Sequence, residues 1–249
     1  SYSNRFWLVP KRDGKLRFTQ DLQPLNAVTV KDAAVPPDLD TYVDALAGHS
    51  IYAVFDFLSG YDQYPLHEDS RDLTAIRIPG LGLFRMTKLP QGGTNSVQAF
   101  QAAVVKGFAE FIPNYLVPFV DDIVVKPKEK SKATKVQVSG VRPFVLEFAN
   151  VLKKILLKAI ENNMTMSVKK SIVGVAEIEI VGQVCNENGR AISSSKIKKT
   201  LDWGEFTNVT QVRGFLGLCV WFRNWIKGFS EIAAPLYYLT RKNARFSWN

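Results

Sequence analysis

The order of apolar and polar stretches along the chain predicts short strands and amphipathic helices. Within residues 6–30, two apolar stretches flank Asp13-Gly14, a dipeptide that favours a tight turn, so we predict a β-hairpin. Residues 50–57 (SIYAVFDF) are β-branched, aromatic and nearly continuous, which indicates a buried strand. This strand carries a single carboxylate, Asp56, close to its end.

The middle of the chain predicts a helix followed by a hairpin. From residue 96 onward, apolar side chains recur every three or four positions, which is the spacing of one helix face. These positions are Val97, Phe100, Val104, Phe108 and Phe111. Residues 116–125 (LVPFVDDIVV) are interpreted as two apolar strands with Asp121 and Asp122 at the tip between them.

The second half of the chain predicts a surface segment, a helix and a strand. Residues 126–140 (KPKEKSKATKVQVSG) are polar and lysine-rich, and we expect them at the surface. Apolar positions at helical spacing follow, namely Phe144, Phe148, Val151, Leu152, Ile155, Leu156 and Ile160. Residues 176–184 begin with the strict alternation of a half-buried strand, and we place a subdomain boundary near residue 186. Strands and helices occur in blocks, which predicts the α+β class.

Composition narrows the range of functions. The chain has 249 residues, of which 46% are hydrophobic, so it can bury a substantial core. A formal net charge of +9 favours an anionic partner, either nucleic acid or an acidic membrane. No apolar stretch reaches the roughly 18 residues of a membrane helix, and the first residues do not resemble a signal peptide. With two cysteines and two histidines, a disulfide framework or a zinc enzyme is disfavoured, and a reducing compartment is expected.

The acids at the predicted strand ends suggest metal-dependent chemistry. If the strand ending at Asp56 lies beside the hairpin, then Asp56, Asp121 and Asp122 meet, and cations are needed to offset their repulsion. Such oxygen ligands suit Mg²⁺ that is completed by substrate phosphates, and a pair of ions about 3.5–4 Å apart can activate a hydroxyl and stabilise a leaving group. The alternative is that these acids are solvated turn residues, but the apolar flanks of the pair indicate burial.

Segments along nearly the whole chain resemble the reverse transcriptases of gypsy-type LTR retrotransposons, especially the fungal branch, and their retroviral relatives. VPKRDGKLRFTQDLQPLN resembles the fingers hairpin, VFDFLSGYDQ the first catalytic motif, and LPQGGTNSVQAFQ the loop and helix beneath the nucleotide. FVDD resembles the Tyr/Phe-x-Asp-Asp signature, IVGQVC the primer grip, and VRGFLGLCVWFRNWIKGFSEIAAPL the end of the polymerase region.

The resemblance implies an RNA-directed DNA polymerase that also copies DNA. The implied reaction is attack of a primer 3′-hydroxyl on a deoxynucleoside triphosphate, with two Mg²⁺ ions as cofactors and Mn²⁺ as a substitute. The implied partners are an RNA or DNA template-primer and deoxynucleoside triphosphates, with no membrane. The implied location is intracellular, in the cytoplasm and in virus-like particles.

The resemblance also assigns roles to particular residues. Asp56 and Asp121 correspond to the principal metal ligands, Asp122 to a supporting acid, and the carbonyl of Phe57 to a further ligand. The remaining assignments are Tyr61 beneath the incoming sugar, Lys11 and Arg17 on the triphosphate, Gln91 and Gly92 on the far side of the nucleotide, and Val181 and Gly182 in the primer grip. Lys170 corresponds to the proton donor for the leaving pyrophosphate, with neighbouring Lys169 as the alternative.

The implied architecture is a right-hand polymerase whose antiparallel palm sheet packs on helices. The fingers are expected at residues 1–45 and 65–95, the palm at 46–64 and 96–185, and the thumb or the start of a connection at 186–249. An RNase H domain is not expected. Two alternatives stay open: an inactive relic that only binds nucleic acid, which retention of the three acids disfavours, and an unrelated basic protein that binds acidic partners.

Overall fold

The computed structural model describes residues 3–10, 14–33, 38–130 and 140–248 of the chain. The chain divides into two compact units, the first made of residues 1–178 and 185–189 and the second of residues 179–184 and 190–249. The helices and strands are, in chain order, β1 (Phe6–Pro10), β2 (Leu16–Gln20), α1 (Gln23–Val28), α2 (Leu39–Leu46), β3 (Tyr52–Asp56), α3 (Gly60–Gln63), α4 (Glu68–Arg71), β4 (Ile76–Ile78), β5 (Gly82–Phe84), α5 (Ser96–Gly107), β6 (Leu116–Phe119), β7 (Asp122–Val125), α6 (Pro143–Glu161), β8 (Ile172–Val175), β9 (Ile178–Ile180), β10 (Gln183–Asn186), β11 (Gly189–Ile192), α7 (Ser194–Leu201), α8 (Val209–Cys219) and α9 (Phe229–Leu239).

The first unit is built around a four-stranded sheet with the strand order β6-β7-β3-β8. β3 pairs antiparallel with both β7 and β8, and β6 pairs antiparallel with β7. The predicted buried strand and the predicted acidic hairpin are therefore both confirmed. They are direct neighbours in one sheet.

Side chains along β3 alternate between the two faces of the sheet. Ala53 and Phe55 point into the core with the side chains that α5 and α6 contribute, among them Val104 and Ile155. Asp56 alternates with Phe55, so its carboxylate lies on the face of the sheet away from that core. The α+β prediction, with an antiparallel sheet packed on helices, is confirmed.

Two small hairpins form outside this sheet, one before β3 and one between β3 and β6 in the sequence. β1 pairs with β2 from Phe6 opposite Gln20 to Pro10 opposite Leu16, which confirms the first predicted hairpin. Its predicted turn residue Asp13 lies outside the described residues, whereas Gly14 has a φ of +77°. The second hairpin, β4 with β5, was not predicted from the sequence.

Several details of the sequence predictions are wrong. Leu156 and Ile160, which were predicted on the buried face of α6, are 38% and 72% exposed. Lys126, which was predicted at the surface, is only 5% exposed, and its ammonium donates to the carbonyl of Asn114 at 2.9 Å. Residues 131–139 of that segment lie outside the described residues.

The predicted strand at residues 176–184 is instead two strands. β9 ends at Ile180 and β10 begins at Gln183, because Val181 and Gly182 adopt positive φ values of 50° and 80°. A left-handed pair of this kind reverses the chain and cannot continue a strand. β9, β10 and β11 form a sheet with the order β11-β10-β9.

The second unit has a small core of its own. Val212 and Leu216 of α8 are buried with Phe206 and with Ala233 of α9. The ring of Phe206 makes edge-to-face contacts with Phe215 and Trp248. No helix within the described parts of either unit is long and apolar enough to span a membrane.

Candidate active site

The sheet register brings the predicted acids together. Asp56, the last residue of β3, lies directly opposite Asp122, the first residue of β7. Phe119 also pairs with Asp122, so the hairpin tip consists of Val120 and Asp121. Asp122 thus belongs to a strand, and the tip carries one acid instead of the predicted two.

The tip is held in an unusual conformation. Val120 has a φ of +56°, which is rare for a β-branched residue because its side chain crowds the backbone. The side-chain oxygen of Gln101, from α5, accepts a hydrogen bond from the Val120 amide at 2.6 Å. The amide of Phe57 donates to the carbonyl oxygen of Asp121 at 3.2 Å. These contacts tie the acidic turn to α5 and to the end of β3.

Lys170 neutralises one of the acids. Its ammonium donates to both carboxylate oxygens of Asp56, at 3.0 and 2.9 Å, and this hydrogen bonding raises the pKa of Lys170. The lysine reaches Asp56 because the chain before it pairs with the end of β3: Ser167 donates to the Asp56 carbonyl at 2.8 Å. A short 3₁₀ turn, Val168–Lys170, then presents the side chain.

The charge on Asp122 is poorly compensated. Burial, followed by the negative charges of Asp121 and Asp56, raises the pKa of Asp122 to about 6, and the ammonium of Lys170 acts in the opposite direction. Three carboxylates are therefore close enough to repel one another. Such a set has an affinity for added positive charge.

An open cavity of about 500 Å³ lies beside these acids. Most of the predicted site residues line it, namely Arg17, Asp56, Phe57, Tyr61, Gln91, Asp121 and Lys170. The lining does not include Gly92, Asp122 or Lys169. Lys11 lies outside the described residues, and Val181 and Gly182 belong to the second unit.

Aromatic packing supports Tyr61 at the cavity wall. The Tyr61 ring packs against Phe100 with the ring centroids 5.2 Å apart, and Phe100 meets Phe57 edge to face at 5.5 Å. Burial raises the pKa of the Tyr61 hydroxyl, and the charge of Asp121 adds to this effect. Gly60, the residue before Tyr61, is buried against the ring of Phe100.

Sequence reasoning missed the amide side chains that support the site. The Gln63 oxygen accepts from the Thr165 amide at 2.6 Å, and its nitrogen donates to the carbonyls of Leu58 and Thr165. Gln63 therefore connects the chain segment that leads to Lys170 with the segment that follows β3. A single glutamine leaves no periodic signal, so only its place in the VFDFLSGYDQ segment distinguishes it.

The donor chemistry of the site fits a divalent cation. Among the described residues, no group of three His, Cys, Asp or Glu side chains is arranged to hold a metal ion, and Lys170 engages both oxygens of Asp56. The oxygens of Asp56 and Asp121 nevertheless face the same cavity, and hard ligands of this type suit Mg²⁺ completed by substrate phosphates. The mutual repulsion at Asp122 agrees with a site that gains from added cations.

The fold and the site together define a class of protein. An antiparallel sheet backed by helices presents carboxylates at one edge, beside a cavity with cationic and aromatic walls. This is the arrangement of the palm in nucleic-acid polymerases.

Comparison with known proteins identifies the family. The family described as reverse transcriptase (RNA-dependent DNA polymerase) matches residues 9–220, and the chain belongs to it. The Pol polyprotein of transposon gypsy from Drosophila melanogaster is 27% identical over 241 residues, which are 94% of this chain and 22% of that protein. The Tf2-3 polyprotein of Schizosaccharomyces pombe is 25% identical over 240 residues, which cover 96% of this chain and 17% of that protein. The chain thus spans about a fifth of these relatives, and the predicted resemblance to retrotransposon reverse transcriptases is confirmed.

Solved structures agree with this assignment. A foamy viral protease-reverse transcriptase in complex with double-stranded DNA matches with a TM-score of 0.83 and 26% identity, over 99% of this chain and 40% of that one. The same type of protein in complex with an RNA/DNA hybrid matches with a TM-score of 0.77 and 26% identity, over 99% of this chain and 31% of that one. The predicted polymerase fold is therefore confirmed, and the family as a whole depends on divalent metal ions.

Proposed function

We propose that this chain is the catalytic core of an RNA-directed DNA polymerase that also accepts DNA templates. The reaction is transfer of a deoxynucleotide from its triphosphate to a primer 3′-hydroxyl. The observation that carries the proposal is the direct pairing of Asp56 with Asp122, with Asp121 at the adjoining turn and facing the cavity.

Two Mg²⁺ ions, or Mn²⁺ in their place, are the proposed cofactors. Asp56 and Asp121 would hold them, with the Phe57 carbonyl as a further ligand and Asp122 as a supporting charge. When bound, such ions supply activation of the attacking hydroxyl and neutralisation of the leaving pyrophosphate.

Lys170 is the proposed proton donor to the leaving pyrophosphate. A lysine ammonium is protonated at neutral pH and so has a proton to give, and Lys170 lines the cavity whereas Lys169 does not. The ammonium occupies one lone pair on each oxygen of Asp56, and a carboxylate has about four such sites, so Asp56 would still offer lone pairs to a cation. Lys170 would then lie beside phosphates bound in the same cavity.

The remaining cavity residues would bind the nucleotide. Arg17 would supply a planar fork for phosphate oxygens, and Lys11, which lies between β1 and β2 in the sequence, would supply a point charge. The Tyr61 ring, supported by Phe100, would lie beneath the sugar and exclude a ribose 2′-hydroxyl. Gln91 and Gly92 would contact the far side of the nucleotide.

The proposed partner is an RNA or DNA template-primer. The net charge of +9 supports contact with phosphates, and the similar foamy viral structures contain double-stranded DNA or an RNA/DNA hybrid. Val181 and Gly182, at the tight turn between β9 and β10, are the proposed primer grip. The retrotransposon relatives support virus-like particles in the cytoplasm as the place of action.

Primer extension on an RNA template with Mg²⁺ tests the proposal. Parent protein should extend the primer, and Asp121→Asn should lower kcat by more than about 100-fold, because even outer-shell partners of a metal site cost about 10–100-fold. Asp69→Asn is the matched control, since that side chain is 91% exposed and does not line the cavity. Folded parent protein that binds template-primer without extending it would contradict the proposal and favour a domain that only binds nucleic acid.

A further inference from the structure

Two asparagines connect the segment after β2 to the turn at residues 91–94. Asn26, in α1, donates from its side-chain nitrogen to the carbonyl of Gly92 at 2.9 Å. Its side-chain oxygen accepts from the amide of Thr94 at 2.8 Å. One side chain therefore holds the backbone on both sides of Gly93.

Asn95 makes the same kind of contact in the opposite direction. Its side-chain nitrogen donates to the carbonyl of Val30 at 2.8 Å, and its oxygen accepts from the amide of Asp32 at 3.0 Å. Asn95 is the N-cap residue of α5, a position where asparagine ordinarily bonds to its own helix. Here the side chain makes no capping hydrogen bond, so it serves the contact between segments instead.

Backbone hydrogen bonds hold the turn at its end near α5, where the Ser96 amide donates to the Gly93 carbonyl at 3.0 Å. Gly92 has a φ of +90°, and the hydrogen bond from the Gly93 amide to the Pro90 carbonyl is long, at 3.4 Å. The hydroxyl of Ser96 bonds to the same carbonyl at 2.7 Å, which anchors the end near α5. Asn26 adds the two hydrogen bonds that fix the Gly92 carbonyl and the Thr94 amide of this turn.

We propose that Asn26 and Asn95 are positioning residues that act as one two-way clamp on the nucleotide-binding turn. The inference rests on the proposed function, in which Gln91 and Gly92 contact the deoxynucleotide. Neither asparagine lines the cavity, so the clamp acts through the turn. The turn carries the proposed contacts to the bound nucleotide and none of the three acids, so its displacement acts on nucleotide binding. Loss of the clamp should weaken nucleotide binding more than it slows the chemical step.

Steady-state primer extension with titrated deoxynucleotide tests the clamp. Asn26→Ala and Asn95→Ala should each raise the nucleotide KM about tenfold, as expected for the loss of paired hydrogen bonds, with kcat within about threefold of the parent. The double variant should add less than about threefold to either single change, because parts of one unit are not additive. Asn162→Ala is the control, since it removes a similar amide-to-carbonyl bond, to Gly107 at 2.8 Å, away from the turn.

Hydrogen exchange gives a readout that does not depend on activity. The amide of Thr94 donates to the side-chain oxygen of Asn26, and the amide of Asp32 donates to that of Asn95. Each hydrogen bond protects its amide from exchange. If the two asparagines form one clamp, either single variant should accelerate exchange at both residues 91–95 and residues 30–33. The Asn162→Ala control should leave both segments unchanged.

Several results would overturn the clamp. These are an unchanged nucleotide KM in both variants, a rise in KM that Asn162→Ala reproduces, or a double variant equal to the product of the single effects. Parent protein that does not extend the primer would contradict the proposed polymerase. The clamp would then be tested by hydrogen exchange alone. Faster exchange confined to the direct partners of the mutated asparagine would exclude it.

Discussion

Gly60 is packed so closely that no side chain fits. A Cβ atom there would lie 2.7 Å from Cζ of Phe100 and 3.2 Å from Cβ of Phe57. Gly60→Ala should therefore lower the free energy of unfolding by about 1–3 kcal/mol, the usual cost of overpacking. It should also raise the nucleotide KM, because Phe100 supports Tyr61.

Urea unfolding of Gly60→Ala and of a helical glycine variant measures this effect. Gly217, in α8, has nothing within 4 Å of a built Cβ, so Gly217→Ala should stabilise the protein by about 0.5–1 kcal/mol through helix propensity. Equal responses of the two variants would show that Phe100 moves away at no cost.

His49 makes stability depend on pH. The side chain is 1% exposed, with Nδ1 3.1 Å from the carbonyl oxygen of Glu129. Burial, followed by the charge of Lys126, lowers the pKa of His49 from 6.5 to about 4. Between pH 4 and pH 6.5 the unfolded chain binds more protons at His49 than the folded protein does. The stability that comes from keeping His49 neutral is therefore complete above pH 6.5 and is lost as the pH falls toward 4.

Comparison with His49→Gln isolates this contribution. Asp122 acts with the opposite sign, because its raised pKa favours the folded protein as the pH falls, but Asp122 is common to both proteins. The difference in unfolding free energy between parent and His49→Gln should shrink between pH 7 and pH 4.5. A difference that stays constant over this range would mean that the pKa of His49 is the same in the folded and the unfolded protein.

At the scale of elements, α6 contributes to the core through one face. Ile155 is completely buried, whereas Leu157 on the same helix is 51% exposed. Ile155→Ala should cost about 2–5 kcal/mol of unfolding free energy, and Leu157→Ala about 0.5 kcal/mol or less. Chemical denaturation of the two variants measures this contrast. Similar losses would indicate that the outer face of α6 is covered in solution.

The elements that burial organises were predictable from the sequence. β3 leaves a nearly continuous apolar run because both of its faces are largely buried, and α6 leaves a repeating apolar stripe because it presents one face to the core. Ile160 shows the limit of this reasoning, because an apolar stripe can be wider than the surface that its neighbours cover. Lys126 shows another, since a long side chain can be buried once its ammonium finds a carbonyl.

From the apolar pattern alone, the site was predictable only in its acids, whereas Arg17, Tyr61, Gln91 and Lys170 were assigned by the resemblance and do line the cavity. Asp56 and Asp121 end apolar strands, so their meeting follows from pairing of those strands. The contacts of Asn26 and Gln63 join segments far apart in sequence through single amide groups. Such contacts follow from no local pattern, and the tertiary structure is needed to find them.

At the scale of the whole molecule, the excess of positive charge predicts the form of nucleic-acid binding. With a net charge of +9, affinity for a template-primer should come mainly from phosphates and release counterions. Between about 50 and 200 mM salt the affinity should fall by about 100-fold or more. Proteins that make about 6–10 phosphate contacts lose about 1,000-fold or more over the same range.

Fluorescence anisotropy with two duplexes of equal length and shuffled sequence measures this dependence. Both duplexes should show the same affinity and the same slope against salt, because phosphate contacts carry no sequence information. A shallow slope, or a clear preference for one sequence, would indicate that contacts to the bases dominate.

The position of β3 inside the sheet also has a consequence for synthesis on the ribosome. Both neighbours of β3 come later in the chain, and Lys170 follows Asp56 by 114 residues. At about 5–20 residues per second, translation of that interval takes on the order of ten seconds. Until β7, and later β8, has been synthesised, the apolar strand has emerged without its pairing partners, so the nascent chain is exposed to aggregation and to chaperones. The candidate active site is thus among the last parts of the first unit to be assembled.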